Sequence, residues 1–437
     1  MFLYFNAIFI YYLIDLTMII FLNQRLYTED IIKYGMDIGY VVDIEKTAVL
    51  FLIIIIIYLF NRLLISIDNK YLAKIIIFLL LIVLYSHLQP KINSGSPREI
   101  YTKNIIQTNI NNTSNTHYSR EFISNFHFEP NYNCVTQKPT KPENIFIFLV
   151  ESWSIYHSKY YGGDNDWTPK LDYIAENNIA YRNFYSNGYT TEFALLSTIY
   201  SQPAIPYGQS IGLTGQIDLH NFKINNSYLN SIHKLGYESF FVTSGDLSFQ
   251  QKGNWLSKVG FDHIIGADDY TEDNRFSFNS VEDKFLFEKV IKLSKEQKTS
   301  KNIIFVENVT THPPFVTPTP NGVVSSEEYA FKYLDYHLSE TINKLNNGRN
   351  LILVLSDHRA MSPLRDYELH NSGTMAGSHT PAFMIWQGLD IEYHTNFQQS
   401  DILSSISGLI SGNSCTSNIV GTLFPVESLN LLNACCS

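Results

Sequence analysis

No Gly-x-Gly-x-x-Gly and no Walker-type loop occurs in the chain, so nothing in it argues for a nucleotide cofactor. Basic residues form no run long enough to bind nucleic acid, and the formal net charge is −10. Cysteine is scarce. Cys134, Cys415, Cys435 and Cys436 are the whole supply, and none has zinc-site spacing, the last two being adjacent. They allow one or two disulfides in an oxidising compartment, with no connectivity readable from their positions. The N-terminus lacks the basic start and small-residue cleavage site of a signal peptide. No internal repeat is present.

What the first ninety positions have is apolar length. Phe2 to Leu22 is long enough to cross a bilayer, with Asp15 its only charge. Ala48 to Phe60 is a second dense run that continues past Asn61-Arg62 to Ile67, and Leu72 to Leu88 is a third. Three such runs predict a membrane region over residues 1–90 with about three transmembrane helices. Arg62, Lys70 and Lys74 lie in and beside the loop that joins the second and third spans and place that loop in the cytoplasm. The chain after Leu88 is then outside, in a multi-pass protein of the cytoplasmic membrane. Residues 91–142, rich in Asn, Thr, Ser and Pro, read as a linker.

From residue 143 the texture changes. Apolar runs at Ile145–Val150, Ser239–Val242, Ile303–Val306 and Leu351–Leu355 alternate with helical patterns at 169–177, 192–200, 227–235, 281–294, 327–345 and 400–410. This alternation predicts a mainly parallel, three-layer α/β domain to residue 437. Strands buried on both faces read as unbroken apolar runs. Ligand sites of such sheets lie beyond the carboxyl ends of their strands. Two of these runs end there in chemistry: the first in Glu151, the last in Ser356-Asp357-His358. Glu151, Asp357 and His358 are therefore expected to be ligands of one divalent metal. Oxygen and imidazole donors without thiolate suit manganese, magnesium or zinc.

Thr190 and Thr191 follow the turn signal Asn187-Gly188 and open a helix. A hydroxyl there feels the positive end of the helix dipole, where backbone amides can also cradle a phosphate. Each is a candidate N-cap, and each a candidate nucleophile. His312, in Glu307-Asn-Val-Thr-Thr-His-Pro-Pro-Phe315, follows another strand, and protonated it can donate to a phosphate or a leaving oxygen. His370, in what reads as a polar loop, is a weaker candidate of the same kind. His379, ahead of an apolar strand, reads as structural.

Glu151 after a buried strand, Thr at a helix start, His312-Pro-Pro-Phe and Ser356-Asp357-His358 occur here in an order that resembles the alkaline phosphatase/sulfatase superfamily. Within it the chain is similar to the membrane-anchored lipoteichoic acid synthase and phosphoglycerol transferase branch. Trp167-Thr-Pro-Lys-Leu171, Asn183-Phe-Tyr-Ser186 and Gly260-Phe-Asp-His-Ile264 add to the likeness, which covers residues 140–415. The resemblance implies an alkaline phosphatase-like fold preceded by transmembrane helices, with Glu151, Asp357 and His358 as metal ligands. It implies a nucleophilic Thr that also binds the metal, Thr191 being favoured over Thr190 because Pro203 lies twelve residues on. His312 and Lys252 are implied substrate contacts. Arg359 stands where the family has Gly, and either reshapes the loop or adds a phosphate contact. The sulfatase element Cys-x-Pro-x-Arg is missing, which speaks against sulfate ester hydrolysis.

The implied activity is transfer of a phosphoglycerol head group from phosphatidylglycerol to a cell-surface glycan or glycerophosphate chain. Phosphoethanolamine transfer is the alternative enzyme, and a non-catalytic surface protein that binds glycan or lipid is the alternative outside enzymes.

Overall fold

The computed structural model describes residues 8–16, 55, 62, 133–136, 138–201, 228–296, 301–417 and 421–424. The chain divides into two units, Met1–His117 and Tyr118–Ser437. In the first, residues 8–16 are helical. The three expected spans lie almost wholly outside the described residues, and no described helix is long and apolar enough to cross a membrane.

The second unit begins with β1 (Asn133–Thr136), β2 (Asn144–Val150), α1 (Pro169–Glu176), β3 (Ile179–Tyr185), α2 (Thr191–Tyr200) and α3 (Tyr228–Lys234). It continues through β4 (Tyr237–Thr243), α4 (Lys252–Val259), β5 (His263–Ile265), α5 (Asp283–Glu296), β6 (Lys301–Glu307) and the ribbon β7 (Val316–Thr319)–β8 (Gly322–Ser325). Then come α6 (Glu327–Leu345), β9 (Leu351–Ser356), α7 (Asp366–Ser372), β10 (His379–Thr380), β11 (Ala382–Ile385), β12 (Ile391–Gln398), α8 (Ile402–Ser411) and β13 (Asn413–Thr416).

Nine strands form one mixed sheet. From its centre, β9, β2, β6, β4 and β5 run parallel side by side. β11 is antiparallel to both β9 and β3, and β12 is parallel to β3 at the far edge. Pro381 has no N–H to give a ladder and separates β10 from β11. The central strands are apolar throughout because both their faces are covered. Ile145, Ile147 and Leu149 point into a core with residues of α2, α3, α4 and α8, such as Leu195, Ile232, Trp255 and Ile406. Phe146, Phe148 and Val150 point the other way, toward Leu171 of α1, Phe287 of α5 and Leu338 of α6. The alternation of one strand's side chains thus builds the three layers.

Residues 133–136, inside the expected linker, are a strand. β1 pairs antiparallel with β13, and Cys134 and Cys415 across that pair form a disulfide. Cys435 and Cys436 lie outside the described residues.

Candidate active site

Register places the acids. Val150 on β2 pairs with Ser356 on β9, so the residues that follow, Glu151 and Asp357, leave the sheet side by side. The Asp357 N–H donates to the Val150 carbonyl (3.0 Å), closing this end of the ladder. Just beyond, Ser152 takes a left-handed conformation with φ 58°, a backbone state rare for a residue with Cβ. That bend lets its N–H donate to Asp357 Oδ1 (2.8 Å) while its hydroxyl donates to Glu151 Oε1 (2.6 Å).

His358 completes the group. Its Nδ1 lies 3.0 Å from the Arg359 carbonyl, which can only accept, so Nδ1 carries a proton and Nε2 is the ring nitrogen turned to the acids. Nε2 is 3.3 Å from Asp357 Oδ2 and 3.6 Å from Glu151 Oε1. One ligand atom from each of Glu151, Asp357 and His358 lies within 4.8 Å of the others, and all three residues are buried.

The two threonines differ. Thr191 Oγ1, in the first residue of α2, is 2.9 Å from Asp357 Oδ2 and 3.2 Å from Glu151 Oε2. Thr190 occupies the N-cap position, yet its hydroxyl makes no capping bond and, buried, has no hydrogen-bond partner among the described residues. The structure brings Thr191, not Thr190, to the acids.

Burial, and then the neighbouring Glu151 charge, push the Asp357 carboxyl well above its ordinary value. Burial raises Glu151 too, but the facing His312 and His358 outweigh it and hold Glu151 below its ordinary value. Two carboxylates in one buried spot repel each other, which a cation between them would relieve. Two carboxylates, an imidazole nitrogen and a hydroxyl make a donor set that fits a divalent metal.

A shell of hydrogen bonds holds these groups. Asn308 Oδ1 accepts from the Glu151 N–H (2.9 Å), and Thr311 Oγ1 donates to the Glu151 carbonyl (2.7 Å). Buried Asp283 pins the loop after β6 through the N–H groups of Val309 and Thr310 (both 3.1 Å) and the Asn308 amide (3.1 Å). That loop carries His312, whose ring meets Phe278 edge-on at 4.4 Å and whose Nδ1 lies 2.6 Å from the Pro313 carbonyl. Nothing in the spacing of Asp283 marks it for this task.

Lys252, at the start of α4, reaches Glu307 at the end of β6 with Nζ 2.9 and 2.8 Å from its two carboxylate oxygens. Glu307 ends a buried strand in an acid, the same signal that picks out Glu151, and it belongs to the same sheet edge. Arg359 is turned away from phosphate binding. It is 4% exposed, forms a paired contact with Glu368 (2.9 and 2.7 Å), and donates to the carbonyls of Ala360 and Ser362. Its role is to fold the loop after β9.

His370 is not in a loop. It lies on α7, exposed, with Nδ1 3.4 Å from Asn371 Oδ1, and no hydrogen bond or ion pair among the described residues links it to the acids. Four residues of polar sequence, Asp366, Glu368, His370 and Asn371, hide a helix of two turns. His379 is structural as expected, bridging Ser372 Oγ (2.7 Å) and the Arg182 carbonyl (2.8 Å).

The family model described as Sulfatase matches residues 143–412, more than half of the chain. Curated relatives include Phosphoglycerol transferase I of Citrobacter koseri, 27% identical over 195 residues, which is 39% of this chain and 25% of that protein. Phosphoglycerol transferase I of Salmonella typhimurium matches with the same identity and coverage. The match thus spans about a quarter of the length of these relatives. Among solved structures, an alkaline phosphatase superfamily protein from Vibrio parahaemolyticus superposes with a TM-score of 0.56 at 20% identity, over 68% of this chain and 74% of that one. The lipoteichoic acid synthase LtaP of Listeria monocytogenes does so with a TM-score of 0.52 at 18% identity, over 67% and 76%. The fold is therefore alkaline phosphatase-like.

Proposed function

Because the chain belongs to the sulfatase family, we propose that it is a metal-dependent phosphotransferase of the cell envelope that moves a phosphoglycerol head group from phosphatidylglycerol to a surface glycan or glycerophosphate chain. The observation that carries this reading is the Thr191 hydroxyl, set against Asp357 and Glu151 at the first turn of α2. The likeness to phosphoglycerol transferases and the missing Cys-x-Pro-x-Arg element support phosphoryl over sulfuryl transfer. The Cys134–Cys415 disulfide supports an oxidising, extracytoplasmic location, with the three apolar runs as the anchor.

In this mechanism Thr191 Oγ attacks the phosphorus of the head-group diester and gives its proton to the carboxylate it already meets, Asp357. The bond from phosphorus to the diacylglycerol oxygen breaks, and a glycerophospho-threonine forms. His312 donates a proton to the departing oxygen from Nε2, its Nδ1 being committed to the Pro313 carbonyl. An acceptor hydroxyl then attacks the same phosphorus and gives its proton to His312, while the Thr191 oxygen leaves and recovers its proton from Asp357. The backbone N–H groups at the start of α2 and the Lys252 ammonium steady the charge on the phosphoryl oxygens. A divalent cation held by Glu151, Asp357, His358 and Thr191 supplies Lewis acidity and a lowered hydroxyl pKa when bound.

The test is diacylglycerol release by the full chain from vesicles containing either phosphatidylglycerol or phosphatidylethanolamine, with and without manganese. Metal-dependent release from phosphatidylglycerol alone is expected. Release from phosphatidylethanolamine alone would reassign the donor, and release from neither would sink the reading.

A further inference from the structure

The Lys252–Glu307 pair stands one strand away from Glu151. Leu149 of β2 pairs with Glu307 of β6, and Thr243 of β4 pairs with Glu307 from the other side. Glu307 is 2% exposed and also accepts from Thr243 Oγ1 (3.0 Å). The Lys252 ammonium touches both its oxygens, while 17% of the Lys252 side chain stays open to solvent. Burial lowers the ammonium's pKa, but Glu307, then Glu192 and Glu151, more than offset this, so Lys252 remains charged. The cation facing the substrate is thus already neutralised by a carboxylate that no solvent can screen.

We propose that Glu307 sets the charge preference of this site, matching it to the single negative charge of a phosphodiester and against the two charges of a phosphomonoester. The inference rests on the reading that substrate phosphorus sits beside Thr191. An ammonium without a counter-ion would draw a dianion more strongly than a monoanion. Paired with Glu307, Lys252 can still donate an N–H to a phosphoryl oxygen, but the pair adds no net charge.

Glycerol phosphate, a dianion at pH 8, and its methyl ester, a monoanion, separate the two cases. Their affinities for the full chain would be read by titration calorimetry. Glu307→Gln keeps the size of the side chain and an acceptor for Thr243, and should tighten the monoester about tenfold relative to the diester. The double variant Lys252→Gln/Glu307→Gln replaces a neutral pair with a neutral pair, and should restore the wild-type ratio to within about twofold. An affinity ratio unmoved by Glu307→Gln would overturn the assignment. So would a double variant that loses the monoester tenfold more than the diester, since Lys252 would then act as an uncompensated cation. Where Glu307→Gln alone fails to fold, Lys252→Gln decides the matter: with Glu307 left unpaired, the monoester should weaken about tenfold relative to the diester, and an unmoved ratio would overturn the assignment. A general loss of stability weakens both probes alike and leaves their ratio in place. Binding needs no turnover, so a wild type that binds both probes with a ratio indifferent to Glu307 sinks this inference alone. A wild type that binds neither sinks the phosphoryl site and the inference together.

Discussion

Thr190 and Thr191 are one position apart in sequence, and their hydroxyls have nothing in common. Spacing alone could not separate them, because either could cap or attack. The structure separates them by what each oxygen meets: two carboxylates for Thr191, and no partner for Thr190 among the described residues. A buried hydroxyl without a partner costs stability. Thr190→Val, nearly isosteric, is therefore expected to be neutral or stabilising by up to about 1 kcal/mol in urea melts. A loss of more than about 1 kcal/mol would mean that its hydroxyl does cap α2. His157 gives a pH signature. It is fully buried, accepts from the Ser154 N–H at Nδ1 (3.0 Å) and meets Glu327 at Nε2 (3.1 Å). Burial brings its pKa down to about 4. The folded pKa is below the unfolded one, so between pH 6.5 and 4 only the unfolded chain takes the proton. This contribution, up to about 3 kcal/mol, is intact above pH 6.5 and is lost as pH falls to 4. Burial pushes Asp335 and Asp401 up to about 6, which works in the opposite sense over that range. The clean readout is therefore the stability advantage of wild type over His157→Gln, which should shrink from pH 6.5 to 4, with an NMR titration midpoint for His157 near 4. A midpoint near 6.5 would contradict it.

At the scale of elements, the strands that carry chemistry were the readable ones. β2 and β9 are buried on both faces and so are unbroken apolar runs, and their ends hold Glu151 and Asp357. β3 and β12 escape such a reading because they lie toward the sheet edge, where Arg182, Asn183, Glu392 and Asn396 can reach solvent and interrupt the apolar pattern. α4 hides behind Lys252 and Gly253 at its start, and α7 behind its polar composition. The shell around the site was the least readable part. Asp283 acts on the loop after β6 from 25 positions upstream of Asn308, a contact made only by folding. Glu307, by contrast, ends its strand in an acid just as β2 does, and was there to be found. β1 also escaped, since four exposed residues in a polar stretch carry no burial pattern. Its tie to β13 closes a loop of sequence separation 281. Replacing Cys134 and Cys415 together with Ser should lower stability by about 2–5 kcal/mol. Turnover at permissive temperature should persist, since the bridge joins β1 to β13 and none of the site's hydrogen bonds. A lost activity in a folded variant would contradict this separation.

For the whole molecule, the order of motifs along the chain carried more than any one of them. Glu151, Thr191, Lys252, His312 and Asp357-His358 come from five separate connections of one sheet, and the sheet alone explains why they belong together. The sulfatase family match covers residues 143–412, and the fold is alkaline phosphatase-like. The proposed membrane region over residues 1–90 rests on apolar length and loop charge alone and lies almost wholly outside the described residues. The central claim is that Thr191 takes the phosphoryl group. It is tested most directly by quenching the full chain during a single turnover of phosphatidylglycerol labelled in its head group, then mapping the labelled peptide by mass spectrometry in wild type, Thr190→Ala and Thr191→Ala. Label on Thr191 in wild type and in Thr190→Ala, with none in Thr191→Ala, is the predicted result. Label that survives in Thr191→Ala, or a wild type that turns over without ever carrying label, would contradict the account.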